Sequence, residues 1–219
     1  MEVQQQRSEE WFKERQGRFT ASRINELLGI KGLGLTGENY AFENAVEIVF
    51  GINEEENFSS FDMQRGVSLE PLAFRKFLEL KDLEFLEVKE AYFFPYSDDA
   101  GASPDGLVGE DAILEIKCPR PNKFFKLVAT GYDAIDKQYI DQMQMQMLCS
   151  NSKRCYFFNY IIFNGAEMWH EIIVERDDVR IELIKQRIKE AVTIRNEFVQ
   201  YLLENQQFEK SINDIEVIE

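Results

Sequence analysis

The residues best suited to chemistry lie in one segment, SPDGLVGEDAILEIKCP, which spans residues 103–119. Asp105 lies among small residues that favour a turn, whereas Glu115 and Lys117 lie two positions apart in an apolar run. If that run is a β-strand, its side chains alternate between two faces, and Glu115 and Lys117 share one of them. The spacing therefore predicts a carboxylate and a lysine in one site, and we expect Asp105 to meet them from the end of a neighbouring short strand.

Two carboxylates in such a site predict a metal ion. A carboxylate is costly to bury without compensation, and a divalent cation neutralises a pair of them better than one lysine does. Oxygen ligands, retained water and a substrate phosphate suit Mg²⁺, with Mn²⁺ as an alternative ion. Lys117 beside such an ion could orient or deprotonate the attacking water, or neutralise charge that develops in the transition state.

Other kinds of hydrolytic site are not indicated. His170 is the only histidine and lies in a regular strand pattern, so we interpret it as structural. Neither a nucleophile-elbow motif nor HExxH occurs. The cysteines Cys118, Cys149 and Cys155 form no CxxC pair and are most simply reduced core residues. Hydrolysis here would therefore use carboxylates, lysine and hard metal ions.

Charge is distributed unevenly along the chain. The net charge of −15 argues against a nucleic-acid partner, because DNA binding depends on Lys and Arg. Residues 117–131 nevertheless contain four basic residues and no acid, and residues 11–25 contain four basic residues and one acid. The basic residues are Lys117, Arg120, Lys123 and Lys126 in the later run and Lys13, Arg15, Arg18 and Arg23 in the earlier run. Either run alone is typical of a solvated face. Together they favour DNA contacts, and they make a chance D-x₉-E-x-K pattern a weaker explanation of the 103–119 segment.

Hydrophobic spacing predicts helices at both ends of the chain and a sheet between them. The predicted helices pass through Trp11 with Ser8 as N-cap, run from the Thr20 N-cap to Gly29, run from Phe42 to Gly51, and span about 63–80, 133–149 and 178–205. A flexible loop at Gly32, Gly34 and Gly37 and an acidic linker, INEEENFSSFD, separate the early helices. The predicted strands are residues 85–96, 106–108, 112–119, 155–163 and 167–175, with a hairpin turn at Asn164-Gly165. The fold class is therefore α/β, with a small mixed central sheet flanked by helices.

Length and composition predict a single domain over residues 1–219, because 219 residues with 44% hydrophobic content can bury a substantial core. The amino terminus lacks the features of a signal peptide, and the longest apolar stretch is too short to span a bilayer. We therefore expect a cytoplasmic protein without a membrane partner.

Several motifs together resemble the PD-(D/E)xK nuclease superfamily and, within it, the lambda exonuclease or YqaJ-like viral recombinase family. Pro104-Asp105 and Glu115-Ile116-Lys117 match its catalytic motif, and SPDG followed by ExKCP is characteristic. The other matching segments, in the family's order, are WFKERQGRFTAS, RGVSLEPLA, YIDQMQMQM, YFFNY and IIVERD. The resemblance covers roughly residues 8–200 and implies a restriction-endonuclease-like core.

The resemblance also implies an activity. Members of this family are Mg²⁺-dependent 5′-to-3′ exonucleases that digest one strand of linear double-stranded DNA. They assemble as ring-shaped homotrimers around the substrate, and the 3′ overhang they leave passes to a single-strand annealing protein.

The site residues implied by the resemblance fall into three groups. Those at the reaction centre are Asp105 and Glu115 as metal ligands, the carbonyl of Ile116 and the carboxylate of Glu70 as further ligands, Lys117 as the catalytic lysine and Gln142 as a supporting amide. Those that hold the 5′-phosphate are Arg15, Ser22 and Ser103. Arg120 and Lys123 are candidates for DNA contacts in the later basic run.

Physical chemistry supports some of these assignments more than others. A guanidinium combined with a hydroxyl at a helix amino terminus suits a phosphate, as Arg15 and Ser22 would provide. The three glutamines Gln138, Gln142 and Gln146 lie four apart on one helix face, a pattern typical of a half-buried seam. We therefore single out Gln142 alone.

Two alternatives and one departure remain. An endonuclease with the same core would cut a covalently closed circle, which an exonuclease cannot, and a binding module without catalysis is disfavoured by the intact catalytic triplet. The family's basic loop after the second helix is here GIKGLGLTGEN, with Lys31 as its only basic residue. This departure argues against melting of the DNA end by this loop.

Overall fold

The computed structural model describes residues 9–51, 61–81, 88–90 and 92–205. Its α-helices are α1 (Glu9–Arg15), α2 (Gly34–Phe50), α3 (Phe61–Leu80), α4 (Pro121–Thr130), α5 (Lys137–Ser150) and α6 (Asp178–Glu204), and 3₁₀ helices cover Ala21–Leu27 and Gly131–Ala134. Its strands are β1 (Phe19–Thr20), β2 (Val88–Glu90), β3 (Phe94–Ser97), β4 (Ala100–Ala102), β5 (Gly106–Val108), β6 (Ala112–Lys117), β7 (Arg154–Phe163) and β8 (Ala166–Glu175).

The strands form two sheets. The larger has the order β2-β5-β6-β7-β8, in which β6 and β7 run parallel and the other neighbours run antiparallel. The smaller has the order β1-β4-β3, with β1 parallel and β3 antiparallel to β4. The predicted α/β class with a small mixed sheet flanked by helices is confirmed, and the second sheet is an addition to it.

Helices cover both faces of the larger sheet. On one face, Leu114 of β6 belongs to the same buried cluster as Phe77 of α3. On the opposite face, Ile113 belongs to a cluster with Met143 and Met147 of α5. Strand alternation produces this division, because neighbouring residues of β6 point to opposite faces. Any residue in register with Ile113 therefore faces α5.

A third buried cluster lies beside the smaller sheet. It joins Phe19 of β1 and Tyr40 of α2 to Ile188 of α6, and Met145 brings α5 into the same cluster. Helix α5 therefore lies between two apolar clusters, and Asp141 to Met147 are all buried. A helix enclosed in this way must find partners for every polar side chain that it carries.

The turn between α1 and β1 is held by two charged side chains. Gly17 has φ +67, and a Cβ built there would lie 2.4 Å from Ile48, so the turn requires glycine. The Gly17 N–H donates to the Glu47 carboxylate at 2.9 Å, and its carbonyl accepts from Arg195 at 2.9 Å. Arg195 also donates to Asp99 at 2.5 Å. It therefore links Gly17, in the earlier basic run, to the residue that precedes β4.

The hairpin and most helices agree with the sequence predictions. Asn164 and Gly165 both have positive φ, +51 and +79, as a two-residue turn between antiparallel strands requires. The helix predicted near 133–149 is a 3₁₀ turn followed by α5, and the helices predicted near 63–80 and 178–205 are α3 and α6.

Several local predictions were wrong. The segment predicted as a helix capped by Thr20 is a 3₁₀ helix, and the Thr20 side chain makes no capping hydrogen bond. Gly34 and Gly37 lie in α2 rather than in a loop. The strand predicted over 85–96 contains β2 and β3, which belong to different sheets, and Pro95 lies in β3 at a sheet edge, where proline is tolerated. The Ser8 cap and most of the acidic linker lie outside the described residues.

The cysteines are all free thiols, as predicted. Cys155 is buried and the other two are half-buried, and burial raises the pKa of Cys118 and of Cys149 to about 12. None of the helices in the described part of the chain combines the length and apolarity that crossing a membrane requires. The single domain stays a prediction.

Candidate active site

Strand β6 extends beyond its neighbour β5, and this overhang creates the site. The register pairs Gly106, the first residue of β5, with Leu114. Beyond Leu114, β5 offers no backbone partner to this edge of β6. The Asp105 side chain provides one instead, because its Oδ2 accepts the Ile116 N–H at 2.6 Å. Asp105 also donates its own N–H to the Leu114 carbonyl at 2.9 Å. Asp105 is therefore fixed against β6 by its backbone and by its side chain.

Glu115 and Lys117 share the α5 face of β6, as predicted. Glu115 is almost completely buried, with 2% of its side chain exposed, whereas 25% of the Lys117 side chain is exposed. The Lys117 Nζ donates to Glu115 Oε1 at 2.5 Å, and Gln142 Nε2 donates to the same oxygen at 2.7 Å. The charges in the apolar run of β6 are thus compensated by each other and by an amide of α5.

Burial and neighbouring charge perturb the ionisable groups. The pKa of Asp105 is raised well above its ordinary value, first by burial and then by the negative charges of Glu115 and Glu70. Burial lowers the pKa of Lys117, but the carboxylates of Glu115 and Asp105 outweigh this effect and raise it overall. Lys117 is therefore a cation at neutral pH, and two negative charges converge on Asp105. Such an excess of negative charge favours cation binding.

The oxygen donors present suit Mg²⁺ better than they suit a metal ion whose ligands are all protein side chains. In the described part of the chain, no three His, Cys, Asp or Glu side chains group closely enough to hold an ion. The available donors are instead two carboxylates, those of Asp105 and Glu115, and the backbone carbonyl of Ile116. Mg²⁺ usually keeps several waters and uses one or two carboxylates together with substrate phosphate, which suits this small set of oxygen donors.

Glu70 lies on α3 and is half-buried. Its charge contributes to the raised pKa of Asp105, so the two carboxylates interact electrostatically. It does not form a three-carboxylate cluster with Asp105 and Glu115. Its role as a metal ligand stays a prediction.

Gln146 is a contact of Glu115 that the sequence interpretation missed. Its Nε2 donates to Glu115 Oε2 at 2.6 Å, so Gln142 and Gln146 each hold one oxygen of the carboxylate. Gln146 is completely buried, whereas Gln138 is exposed. The four-residue spacing from Gln142 was the available signal, since residues at i and i+4 face the same way on a helix.

Arg15 and Ser103, two of the residues predicted to hold the 5′-phosphate, contact each other, and that role stays a prediction. The Arg15 NH1 donates to Ser103 Oγ at 2.8 Å across 88 positions of sequence, and burial lowers the pKa of Arg15 to about 10. Ser22 is exposed, and its hydroxyl lies 3.3 Å from that of Thr20. No hydrogen bond joins Ser22 to Arg15 within the part of the chain that the structure describes. Ser22 lies near the start of a 3₁₀ helix of only seven residues, so a helix dipole would add little to phosphate binding there.

One aromatic ring, that of Phe93, lies against two guanidinium groups of the earlier basic run. The Arg15 guanidinium carbon lies 5.7 Å, and that of Arg18 5.3 Å, from the ring centroid of Phe93, which is buried. Trp11 lies nearer to Arg15, at 4.0 Å. The ring packs against Gly101, where an added Cβ would lie 2.3 Å from it. Stacking on aromatic faces holds guanidinium groups in place and leaves donors at their edges available.

Two cations of the later basic run, Lys117 and Lys123, are already engaged with acids. Lys123 forms an ion pair with Asp136, and its Nζ lies 4.8 Å from the Tyr139 ring centroid. Lys117 approaches the same ring at 4.9 Å. Arg120 is exposed at the amino terminus of α4, a helix that the sequence analysis did not predict. Pro121 at its first turn and Gly131 after its end were the available signals.

Comparison with known proteins identifies relatives with the same fold. Residues 10–153 match the YqaJ-like viral recombinase domain. The alkaline exonuclease LHK-Exo from Laribacter hongkongensis is 30% identical, with a TM-score of 0.77 over 90% of this chain and 97% of that one. Its complex with dAMP gives a TM-score of 0.76, also at 30% identity and with the same coverage of the two chains.

A phage-related exonuclease from Haemophilus somnus 129PT shares the fold at 17% identity, with a TM-score of 0.67 over 84% of this chain and 96% of that one. Comparison with curated proteins gave no significant match. The domain match covers more than half of the chain, and the similarity to LHK-Exo extends over nearly all of it. This chain therefore belongs to the YqaJ-like viral recombinase family.

Proposed function

We propose that this DNA exonuclease uses Mg²⁺ to digest the 5′-ended strand of linear duplex DNA from a phosphorylated end. The observation that carries the proposal is the pairing of two sites through one short segment. Ser103, which Arg15 holds, and Asp105, whose carboxylate accepts the N–H of Ile116 between Glu115 and Lys117, are two residues apart. A terminal phosphate bound at the first site would place a phosphodiester near the second.

The residues of the reaction centre divide the chemistry between them. Asp105, Glu115 and the Ile116 carbonyl would hold the ion, which when bound supplies Lewis-acid activation of water and of the phosphate. Gln142 fixes the Glu115 carboxylate so that its orientation does not depend on the ion. Lys117 is fully protonated at neutral pH, so it would neutralise developing charge and orient the attacking water as a hydrogen-bond donor.

Recognition of the DNA end would depend on the earlier basic run. Arg15 and Arg18 are half-buried guanidinium groups with no carboxylate partner among the described residues, which is unusual in a chain of net charge −15. Guanidinium groups in this state bind phosphate strongly. A relative solved in complex with dAMP adds support for nucleotide binding in this fold.

The family resemblance is the support for the proposed polarity, assembly and downstream partner. We expect a homotrimeric ring around the DNA, and a single-strand annealing protein that receives the 3′ overhang. The viral recombinase family supports a role in recombination. Light scattering would measure the mass of the assembly independently of activity.

Linear duplexes with a 5′-phosphate or a 5′-hydroxyl, each with Mg²⁺ or EDTA, test the proposal. We expect Mg²⁺-dependent release of nucleotides from 5′ ends, faster on the phosphorylated substrate, and no cutting of closed circles. Arg15→Met should reduce the preference for phosphorylated ends at least about tenfold, as loss of a charge-assisted contact would.

Arg23→Met is the matched control for that variant. Arg23 lies in the same basic run, but Glu26 and Glu43 neutralise it. Cleavage of a closed circle would favour the endonuclease alternative, and equal rates on both linear ends would contradict the phosphate site.

A further inference from the structure

We infer that Gln146 is a positioning residue that couples occupancy of the 5′-phosphate site to the metal ligand Glu115. This inference rests on the proposed function. It concerns a residue that touches Glu115 rather than the reacting phosphate, so its role would be indirect.

The geometry of one amide group carries the inference. Gln146 Nε2 donates to Glu115 Oε2 at 2.6 Å and lies 3.4 Å from the backbone carbonyl of Ser103, the residue whose hydroxyl Arg15 holds. A side-chain amide nitrogen carries two hydrogens, so it can serve both acceptors at once. The same group thus connects one metal ligand with the start of the segment that carries the other, Asp105.

The orientation of this amide is costly and therefore informative. Gln146 is completely buried, and its Oε1 has no hydrogen-bond partner in the described part of the chain. An unpaired buried acceptor lowers stability, so its presence calls for an explanation. Gln144, two positions away, satisfies both ends of its amide, at 2.9 Å to the Glu175 carbonyl and at 2.7 Å from the Asp177 N–H. Helix α5 can therefore satisfy a buried glutamine fully, and at Gln146 it leaves an oxygen unpaired while directing both hydrogens to the site.

Gln142 is the matched control. It also donates to Glu115, at 2.7 Å to Oε1, but no hydrogen bond links it to Ser103 in the part of the chain that the structure describes. Both glutamines should help to hold Glu115, and only Gln146 should transmit the state of the phosphate site.

The decisive measurement is the ratio of initial rates on 5′-phosphorylated and 5′-hydroxyl duplexes. Gln146→Met, which keeps a side chain of similar length on a helix rich in buried methionine, should lower that ratio at least about tenfold, as loss of a hydrogen bond to a charged group would. Gln142→Met should lower both rates and leave the ratio unchanged. Gln146→Asn, one methylene too short to reach both acceptors, should behave as Gln146→Met does.

A second readout avoids turnover. In a Lys117→Met background, which should not cleave, Mg²⁺ affinity is measured by thermal shift with each duplex bound. The 5′-phosphate should tighten Mg²⁺ binding when Gln146 is present and when Gln142 is replaced, and it should have no effect when Gln146 is replaced.

The outcomes are distinguishable. A Gln146 variant that keeps the full preference for phosphorylated ends, and the full effect of phosphate on Mg²⁺ affinity, overturns the coupling while leaving the proposed function intact. A wild-type protein with no preference overturns the phosphate site itself and the coupling with it. Selective loss in the Gln146 variants supports the coupling.

Discussion

The two basic runs, residues 11–25 and 117–131, have similar compositions, but folding leaves their charges in different states. In the earlier run, Arg15 donates to a hydroxyl and Arg18 lies over an aromatic ring. Neither contacts a carboxylate in the described part of the chain, although both are half-buried. Such cations are available to an anionic ligand, since no intramolecular ion pair must be broken first.

In the later run two of the four cations are used internally. Lys117 neutralises a buried carboxylate of the same strand, and Lys123 pairs with an acid that precedes α5. Lys117 and Lys123 are therefore less available to DNA than the guanidinium groups of the earlier run that are unpaired among the described residues. The difference shows that the density of basic residues along a sequence does not measure the positive charge available to a partner.

Replacing the best-compensated cation should have the largest effect. Lys117→Met removes the only cation that contacts Glu115 among the described residues, and we expect the cleavage rate to fall by about a thousandfold or more, within the range for loss of a general acid–base or charge-stabilising group. DNA affinity should change by less than about threefold, because this lysine is engaged with an internal acid. Single-turnover rates and equilibrium binding to a labelled duplex measure the two quantities.

Lys126→Met is the control for that prediction, because Lys126 is exposed on α4 in the same run. Its cleavage rate should match that of the wild type. A Lys117→Met protein that still cleaves at the wild-type rate would contradict the catalytic role of Lys117. One that loses DNA binding instead would mean that this lysine contacts DNA directly.

The sequence predicts the proposed reaction centre better than it predicts the contacts that hold its residues in place. That Glu115 and Lys117 share a face follows from strand alternation, which is a local property of the chain. The family resemblance placed Arg15 and Ser103 in one phosphate site, and a contact across 88 positions could not be predicted from periodicity. A stripe of glutamines is typical of a half-buried seam, so the sequence pattern does not single out Gln146. Its role depends on how α5 crosses the sheet, which no local pattern specifies.

Whether a given charged side chain is paired with an opposite charge could also not be predicted from the sequence. Arg18 and Arg23 differ by five positions in one run, yet only Arg23 meets acids, one of them Glu43 on another helix. The short strands β1 and β4 carry two and three residues, too few for alternation to be visible. Contacts between distant segments decide such features, so they appear only when the chain is folded.

A smaller effect should separate the two arginines of the earlier run. Arg18→Met should weaken binding of duplex ends several-fold and reduce the slope of log affinity against log salt by about 0.9, the contribution of one phosphate contact. Arg23→Met should leave both quantities unchanged, because Glu26 and Glu43 neutralise that guanidinium. Binding titrations at several salt concentrations measure both. Equal slopes for the two variants would show that Arg18 does not bind phosphate.

The smallest effect should come from Lys123, for which the sequence predicts a DNA contact. Lys123 and Asp136 are 36% and 43% exposed, and an ion pair so exposed contributes at most about 1 kcal/mol. Lys123→Met should therefore lower the melting temperature only slightly and leave the salt slope as it is in Lys126→Met. If the slope fell by about 0.9 in Lys123→Met alone, DNA would displace Asp136 from this lysine. The later run would then bind substrate at the cost of an internal pair, and the difference between the two runs would be one of degree.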